Sequence, residues 1–292
     1  MGRILVTGAS GLLGSRIVKA AKGNYEVIPS HNTKRLHPNS LKLDITRRKE
    51  TFSLFKNIKP DLTIHTAAET NVDKCETRRE VAWKTNVKGT RNVAKACSEI
   101  SAKIVYISTD YVFKGEKGLY TEEDKPSPIN YYGITKLEGE NQVRKLCKNY
   151  VILRTSVLYG WHSWKQNFAT WVIESLKQKK KISIVQDHFN TPTLADNLAE
   201  IIVETVKRNL QGLYHASGNQ RISRYEFAQQ IAEAFDLNQS LIKPIKTNSM
   251  TSWTAKRPKD SSLDTNKIKK LLDIKPLDIN EGLKRMKESA HL

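Results

Sequence analysis

No run of apolar residues in the sequence approaches the ~18 that a membrane-spanning helix needs, so no membrane partner is expected. Cysteine is scarce. Cys75, Cys97 and Cys147 are an odd number without C-x-x-C spacing, which argues against a disulfide framework or a zinc ribbon. The N-terminus enters a strand-like segment, RILVTG, at once and leaves no room for a signal peptide. A reduced, cytoplasmic compartment is the expectation. Acidic residues are also few: 30 against 49 basic ones in 292 residues, a formal net charge of +19. Such an excess suits nucleic acid. The basic residues are spread along the whole chain, however, and the one tight run, KQKKK at 177–181, has no interleaved aromatics and no nucleic-acid motif. The charge reads as a solvated, charge-rich surface that attracts anionic small molecules, and no nucleic-acid partner is expected.

What is present is alternation. RILVTG, YEVIPS, LTIHTAA, KIVYIST and YVILRTS are short and β-branched. Between them GSRIVKAAKG, RKETFSLFKNI, EVAWKTNVKGTRNVAKACSEI and ITKLEGENQVRKLCK carry apolar residues at helical period. Right-handed crossovers between parallel strands predict an α/β fold, a doubly wound Rossmann sheet with its ligands at the carboxyl ends of the strands. After Ser156 the pattern loosens. GLYHAS is a short strand able to return to the sheet, and LADNLAEIIVETVKRN and SRYEFAQQIAEAF are helices. The expected organisation is a dinucleotide-binding domain of 1–156 plus about 191–216. A smaller, partly interleaved α/β substrate part takes 157–190 plus 217–292.

TGASGLLG follows the first strand and opens the first helix, with Gly8, Gly11 and Gly14 at G-x-x-G-x-x-G spacing. This is the arrangement that lets a pyrophosphate meet backbone N–H groups at a helix N-terminus, with Ser10, Leu12 and Leu13 lining the same turn. The second strand ends in SHNTKR. No acid is there to accept a ribose 2′-hydroxyl, and Lys34 and Arg35 suit a 2′-phosphate, so NADP is expected, with NAD as the alternative cofactor. Lys34 and Arg35 also fit an ordinary lysine-rich surface. Asp44, at the end of the third strand, would meet the adenine or simply end a strand. Ala67 and Ala68 are small, as either a cofactor lying against the backbone or tight packing requires.

The chemistry sits further on. Tyr132 and Lys136 are four apart at a helix start and share one face. A tyrosine ionises near ~10, so acid–base work near neutrality needs about three units, or ~4 kcal/mol. An ammonium ~4 Å away at an effective dielectric of ~20 supplies about that. Thr109, at the carboxyl end of the fifth strand, would hydrogen-bond the same carbonyl oxygen. Tyr131 has no lysine four residues on and is expected to pack. Asn86 would orient a water behind Lys136, or lie on a helix surface.

Together these residues resemble the dTDP-4-dehydrorhamnose reductase family of the extended short-chain dehydrogenase/reductase superfamily. The likeness continues through NVDKCE (71–76), LRTSVLYG (153–160), NFA (167–169), TPTLADNLA (191–199), GLYHASG (212–218), SRYEFAQQIA (223–232) and RPKDSSLDTNKI (257–268), and so covers nearly the whole chain. It implies NADPH- or NADH-dependent reduction of the 4-keto group of a nucleotide-activated deoxysugar, dTDP-4-dehydro-L-rhamnose, with Thr109, Tyr132 and Lys136 on the catalytic positions. It also implies a homodimer, with magnesium between subunits in some relatives, although no residue cluster here demands a metal. Related sugar-nucleotide dehydratases follow the threonine with Asp-Glu, whereas here Asp110 precedes Tyr111. Related epimerases carry an acid at the end of the second strand, which is absent, so a nucleotide-sugar epimerase stays as a poorer alternative. Many rhamnose-pathway reductases have tryptophan after RTS; this chain has Val157. The methionine adenosyltransferase β subunit resembles the same family and acts by binding a partner, so a non-catalytic, NADP-binding regulatory role stays open.

Overall fold

The computed structural model describes residues 2–291. RILVT becomes β1 (Arg3–Thr7) with both faces buried: Ile4 and Val6 point to one side of the sheet and Leu5 to the other. The same alternation runs through β2 (Glu26–His31), β4 (Leu62–His65), β5 (Lys103–Thr109) and β6 (Tyr150–Thr155), while the two-residue edge strand β3 (Leu41–Lys42) is exposed. A last strand, Gly212–His215, returns to pair in parallel with β6, as GLYHAS predicted. The seven strands run parallel in the order Gly212–His215, β6, β5, β4, β1, β2, β3. The chain reverses its direction of travel between β1 and β4, and a doubly wound sheet opens a crevice at that switch point.

Helices cover both faces, which is why the strands are apolar throughout rather than alternating with polar residues. Helices Leu12–Ala21 and Ala195–Lys207 pack Leu13, Ile17, Leu198 and Ile202 against Ile4, Val105 and Leu153. On the other face Phe55, Val93 and Val143 cover Leu5, Ile104 and Ile152. A separate core of Tyr159, Ile173, Phe227, Ile231, Leu283 and Met286 lies among helices Phe168–Lys177, Arg224–Ala234 and Ile279–Glu288. Ile182–Val185 pairs there with Ile242–Ile245 in a small two-stranded sheet. Among the described residues no helix is long and apolar enough to cross a membrane.

One predicted element differs. The stretch 80–100 is not a single α-helix but Arg79–Trp83, a π-helical stretch Lys84–Gly89, and Thr90–Glu99. The register changes where the buried Asn86 amide is caught by Glu69. Its Oδ1 accepts the Glu69 N–H at 2.8 Å and its Nδ2 donates to the Glu69 carbonyl at 3.0 Å. A π turn adds a residue and turns that side chain inward.

Candidate active site

A cleft of about 630 Å³ opens at the carboxyl ends of β1, β4 and β5. Its floor is the glycine turn. Gly11 is the N-cap of helix Leu12–Ala21 and makes no side-chain cap, so the first N–H groups of that helix are free to meet an anion. Gly14 sits so close to the turn that a Cβ there would lie 2.3 Å from the Gly8 carbonyl oxygen. Gly8, Ser10, Leu12 and Leu13 line the same floor, with Ala67 and Ala68 across from them. A dinucleotide pyrophosphate fits this backbone cradle, which no larger residue at 14 would leave intact. Asp44 also faces the cleft, but its Oδ1 already accepts the Thr46 N–H (2.9 Å) and hydroxyl (2.8 Å).

The reacting end is built by β5 and helix Tyr131–Leu146. Asn130 caps the helix, its Oδ1 accepting the Gly133 N–H at 2.8 Å, and its Nδ2 donates to the Lys256 carbonyl at 2.9 Å. Gly133 lets the first turn approach β5's extension, since a Cβ there would lie 2.1 Å from the Tyr111 carbonyl oxygen. Tyr132 is thereby brought edge-on to Tyr111, with ring centroids 6.0 Å apart, and lines the cleft with Thr109 and Lys136. The predicted trio shares one wall.

Its electrostatics differ from the expectation. Burial pushes the Tyr132 hydroxyl up, with the Thr109 hydroxyl opposing in part. Lys136 does not dominate that balance, because its Nζ donates to the Ile107 carbonyl (2.7 Å) and lies 4.1 Å from the centroid of the Tyr106 ring. Burial pushes Lys136 down to about 7, against the pull of Glu140 and Cys75. Tyr132 is therefore a protonated donor at neutral pH, and Lys136 stands near its own midpoint.

Three expected cofactor residues are not among those facing the cleft. Asn86 is fully buried and its amide is spent on Glu69 and on the Thr135 hydroxyl (3.0 Å), leaving no free donor for a water behind Lys136. Lys34 turns to the Trp164 ring, its Nζ 4.6 Å from the centroid. Arg35 is exposed and, among the described residues, reaches only the His37 carbonyl, at 3.4 Å. Asn32 and Thr33 occupy the cleft edge in their place. Tyr131 packs as expected, between Trp83 (6.5 Å) and the Arg79 guanidinium (5.0 Å).

Three further features complete the cleft. Loop 161–167 lies across the cleft: the His162 ring meets the Ser10 carbonyl at 3.1 Å, and Lys165 Nζ donates to the Thr70 hydroxyl at 3.1 Å. Only the NFA motif at its end signalled it. Val157 lines the cleft with φ of 42°, a left-handed backbone that is rare for a β-branched residue. Asp110, the polar residue ending the strand, does not line up as a second acid. It accepts hydroxyls from Thr109 (3.0 Å), Ser156 (2.9 Å) and Ser261 (2.5 Å), and burial raises its pKa. It ties the sheet to the C-terminal part.

Residues 2–291 match the family model described as the RmlD substrate binding domain. The dTDP-4-dehydrorhamnose reductase of Aggregatibacter actinomycetemcomitans is 32% identical, over 99% of this chain and 100% of its own. The methionine adenosyltransferase 2 subunit beta of Rattus norvegicus is 34% identical, over 92% of this chain and 82% of its own. Among solved structures, the dTDP-4-dehydrorhamnose reductase of Bacillus anthracis in complex with NADP superposes with a TM-score of 0.91. It is 34% identical, covering 99% of both chains.

Proposed function

Because the chain belongs to the dTDP-4-dehydrorhamnose reductase family of extended short-chain dehydrogenase/reductases, we propose that it is an NADPH-dependent reductase of a nucleotide-activated 4-keto deoxysugar, most directly dTDP-4-dehydro-L-rhamnose. One observation carries the reading: Thr109, Tyr132 and Lys136 converge on one wall of the cleft whose floor is the glycine turn. Bound NADPH would supply the hydride. The chain supplies the rest. Gly8, Gly11 and the open helix N-terminus hold the pyrophosphate, with Ala67 and Ala68 leaving room beside it. Thr109, whose hydroxyl proton is given to Asp110 in the free site, turns that proton to the substrate carbonyl oxygen, and Tyr132 delivers its phenolic proton there as charge develops. Lys136, protonated, stabilises the tyrosinate left behind, and the Ile107 carbonyl holds its ammonium in place. The upward push on Tyr132 suits reduction, which needs the proton present at the start. NADP is favoured over NAD because neutral Asn32 and Thr33 line the cleft where an acid would hold a ribose 2′-hydroxyl, with the exposed Arg35 next along the chain.

The test is NADPH oxidation across several nucleotide 4-keto sugars, with Tyr132→Phe as the control. That variant should keep NADPH affinity within about twofold and lose turnover by about a hundredfold or more, the size of a lost general acid. Unchanged turnover would remove Tyr132 from the mechanism. A second reading rests on the β subunit of rat methionine adenosyltransferase 2, which is as similar as the reductases. Under it the chain binds NADP and a partner enzyme without turnover. Tight complex formation with an adenosyltransferase, and no NADPH oxidation with any 4-keto sugar, would favour it.

A further inference from the structure

Behind the reacting wall lies an ion pair that the proposed chemistry does not use. Glu140 and Arg154 are buried, at 0% and 1% exposure. The Glu140 carboxylate accepts Arg154 Nε (2.9 Å) and Nη2 (2.8 Å), Arg144 Nη2 (3.1 Å) and the Ser108 hydroxyl (2.6 Å). A buried pair of this kind gains little over well-packed apolar residues, since desolvation consumes most of the attraction. Nor is this one fully satisfied, as Arg154 Nη1 makes no hydrogen bond among the described residues. Stability does not account for it; location does. Ser108 and Arg154 are register partners on β5 and β6, and Glu140 follows Lys136 by one helical turn, so the pair joins the elements that carry Thr109, Lys136 and Thr155.

We propose that Glu140 is a positioning residue of this site: its carboxylate clamps Ser108, fixing the adjoining Ile107 carbonyl against the Lys136 ammonium, while its negative charge stands one helical turn from that ammonium. The functional consequence rests on the reductase reading. The groups facing Lys136 are Glu140 on its own helix, Cys75 on helix Val72–Thr77, Tyr106 on β5 and His65 on β4, with Tyr132 on the same cleft wall. Burial drives Lys136 down to about 7, and Glu140 is the first of the groups opposing that drive. Without Glu140 the balance at Lys136 would tip further toward the neutral amine, which cannot stabilise a tyrosinate.

The experiment follows Lys136 itself, in protein carrying lysine labelled with carbon-13 at Cε. Its resonance is assigned through Lys136→Arg and titrated in the wild type, Glu140→Gln and Glu140→Asp. Glu140→Gln should move the Lys136 midpoint down by about one pH unit, and Glu140→Asp, which keeps the charge, should largely restore it. A midpoint that stays put in folded Glu140→Gln overturns the proposal. Should Glu140→Gln fail to fold, Ser108→Ala leaves every charge in place and removes only the clamp. A displaced Lys136 resonance is then expected, and an unperturbed one overturns the proposal. The titration needs neither cofactor nor sugar, so it is decided separately from the reductase reading. Where the wild type turns over, the basic limb of kcat should shift with the lysine.

Discussion

Arg35 is exposed and holds only the His37 carbonyl, while Lys34 is taken up by the Trp164 ring. Among the described residues Arg35 keeps its guanidinium in solvent, and by turning to the cleft a guanidinium can meet a 2′-phosphate with two parallel hydrogen bonds. A charge-assisted bond is worth about 1.5–3 kcal/mol, so Arg35→Ala should weaken NADPH binding by about tenfold or more. NADH, lacking the phosphate, should change by less than about twofold. Fluorescence titration of both cofactors checks this, and equal weakening would end the NADP assignment. At this scale the sequence reveals chemistry that is local. Tyr132 and Lys136 share a helix face and the glycines share a turn, so their spacing is their geometry. Lys34 misleads because its partner, Trp164, lies far along the chain in a loop without periodicity. Glu140 stays hidden for the same reason: its meaning depends on Ser108 and Arg154, which come from two strands.

The element that carries Tyr132 and Lys136 starts at Asn130, and that residue does two things. Its Oδ1 caps the helix at Gly133 and its Nδ2 reaches the Lys256 carbonyl, tying the helix start to the C-terminal part. Losing the cap costs about 1 kcal/mol and losing the second bond about another 1 kcal/mol. Asn130→Ala should therefore lower unfolding free energy by about 2 kcal/mol in a urea titration. Because Tyr132 lies in the first turn, kcat should fall several-fold even where the variant is fully folded. Lost stability with unchanged kcat would show that the cap does not position the tyrosine. Elements whose apolar pattern matches one face were legible, including the returning strand Gly212–His215. The π-helical stretch Lys84–Gly89 was not. Each flank keeps helical period on its own, and the inserted residue between them is dictated by Asn86 meeting Glu69 across the fold.

For the molecule as a whole, burial of neutral histidines sets how it meets acid. His65, at the end of β4, bridges the hydroxyls of Thr7 (2.6 Å) and Thr90 (3.1 Å), a pattern that a neutral ring completes with one donor and one acceptor. His215, ending the edge strand, has Nδ1 at 2.9 Å from the Tyr120 carbonyl. Burial pushes both from 6.5 down to about 3. Between those values the unfolded chain binds protons that the folded one refuses, so stability falls as pH drops from 6.5 toward 3. Asp73, Glu76 and Glu204, held below their usual range by arginine and backbone partners against the penalty of burial, act in the same direction at the lower end. Asp110, raised by burial, acts against it. Urea titrations at several pH values between about 4 and 7 should show unfolding free energy declining with acid. In His65→Gln the slope between about pH 4 and 6 should be shallower by about one proton, because that ring no longer contributes to the difference. An unchanged slope would mean that His65 is protonated in the folded state, and the Thr7–His65–Thr90 bridge could not then be as described.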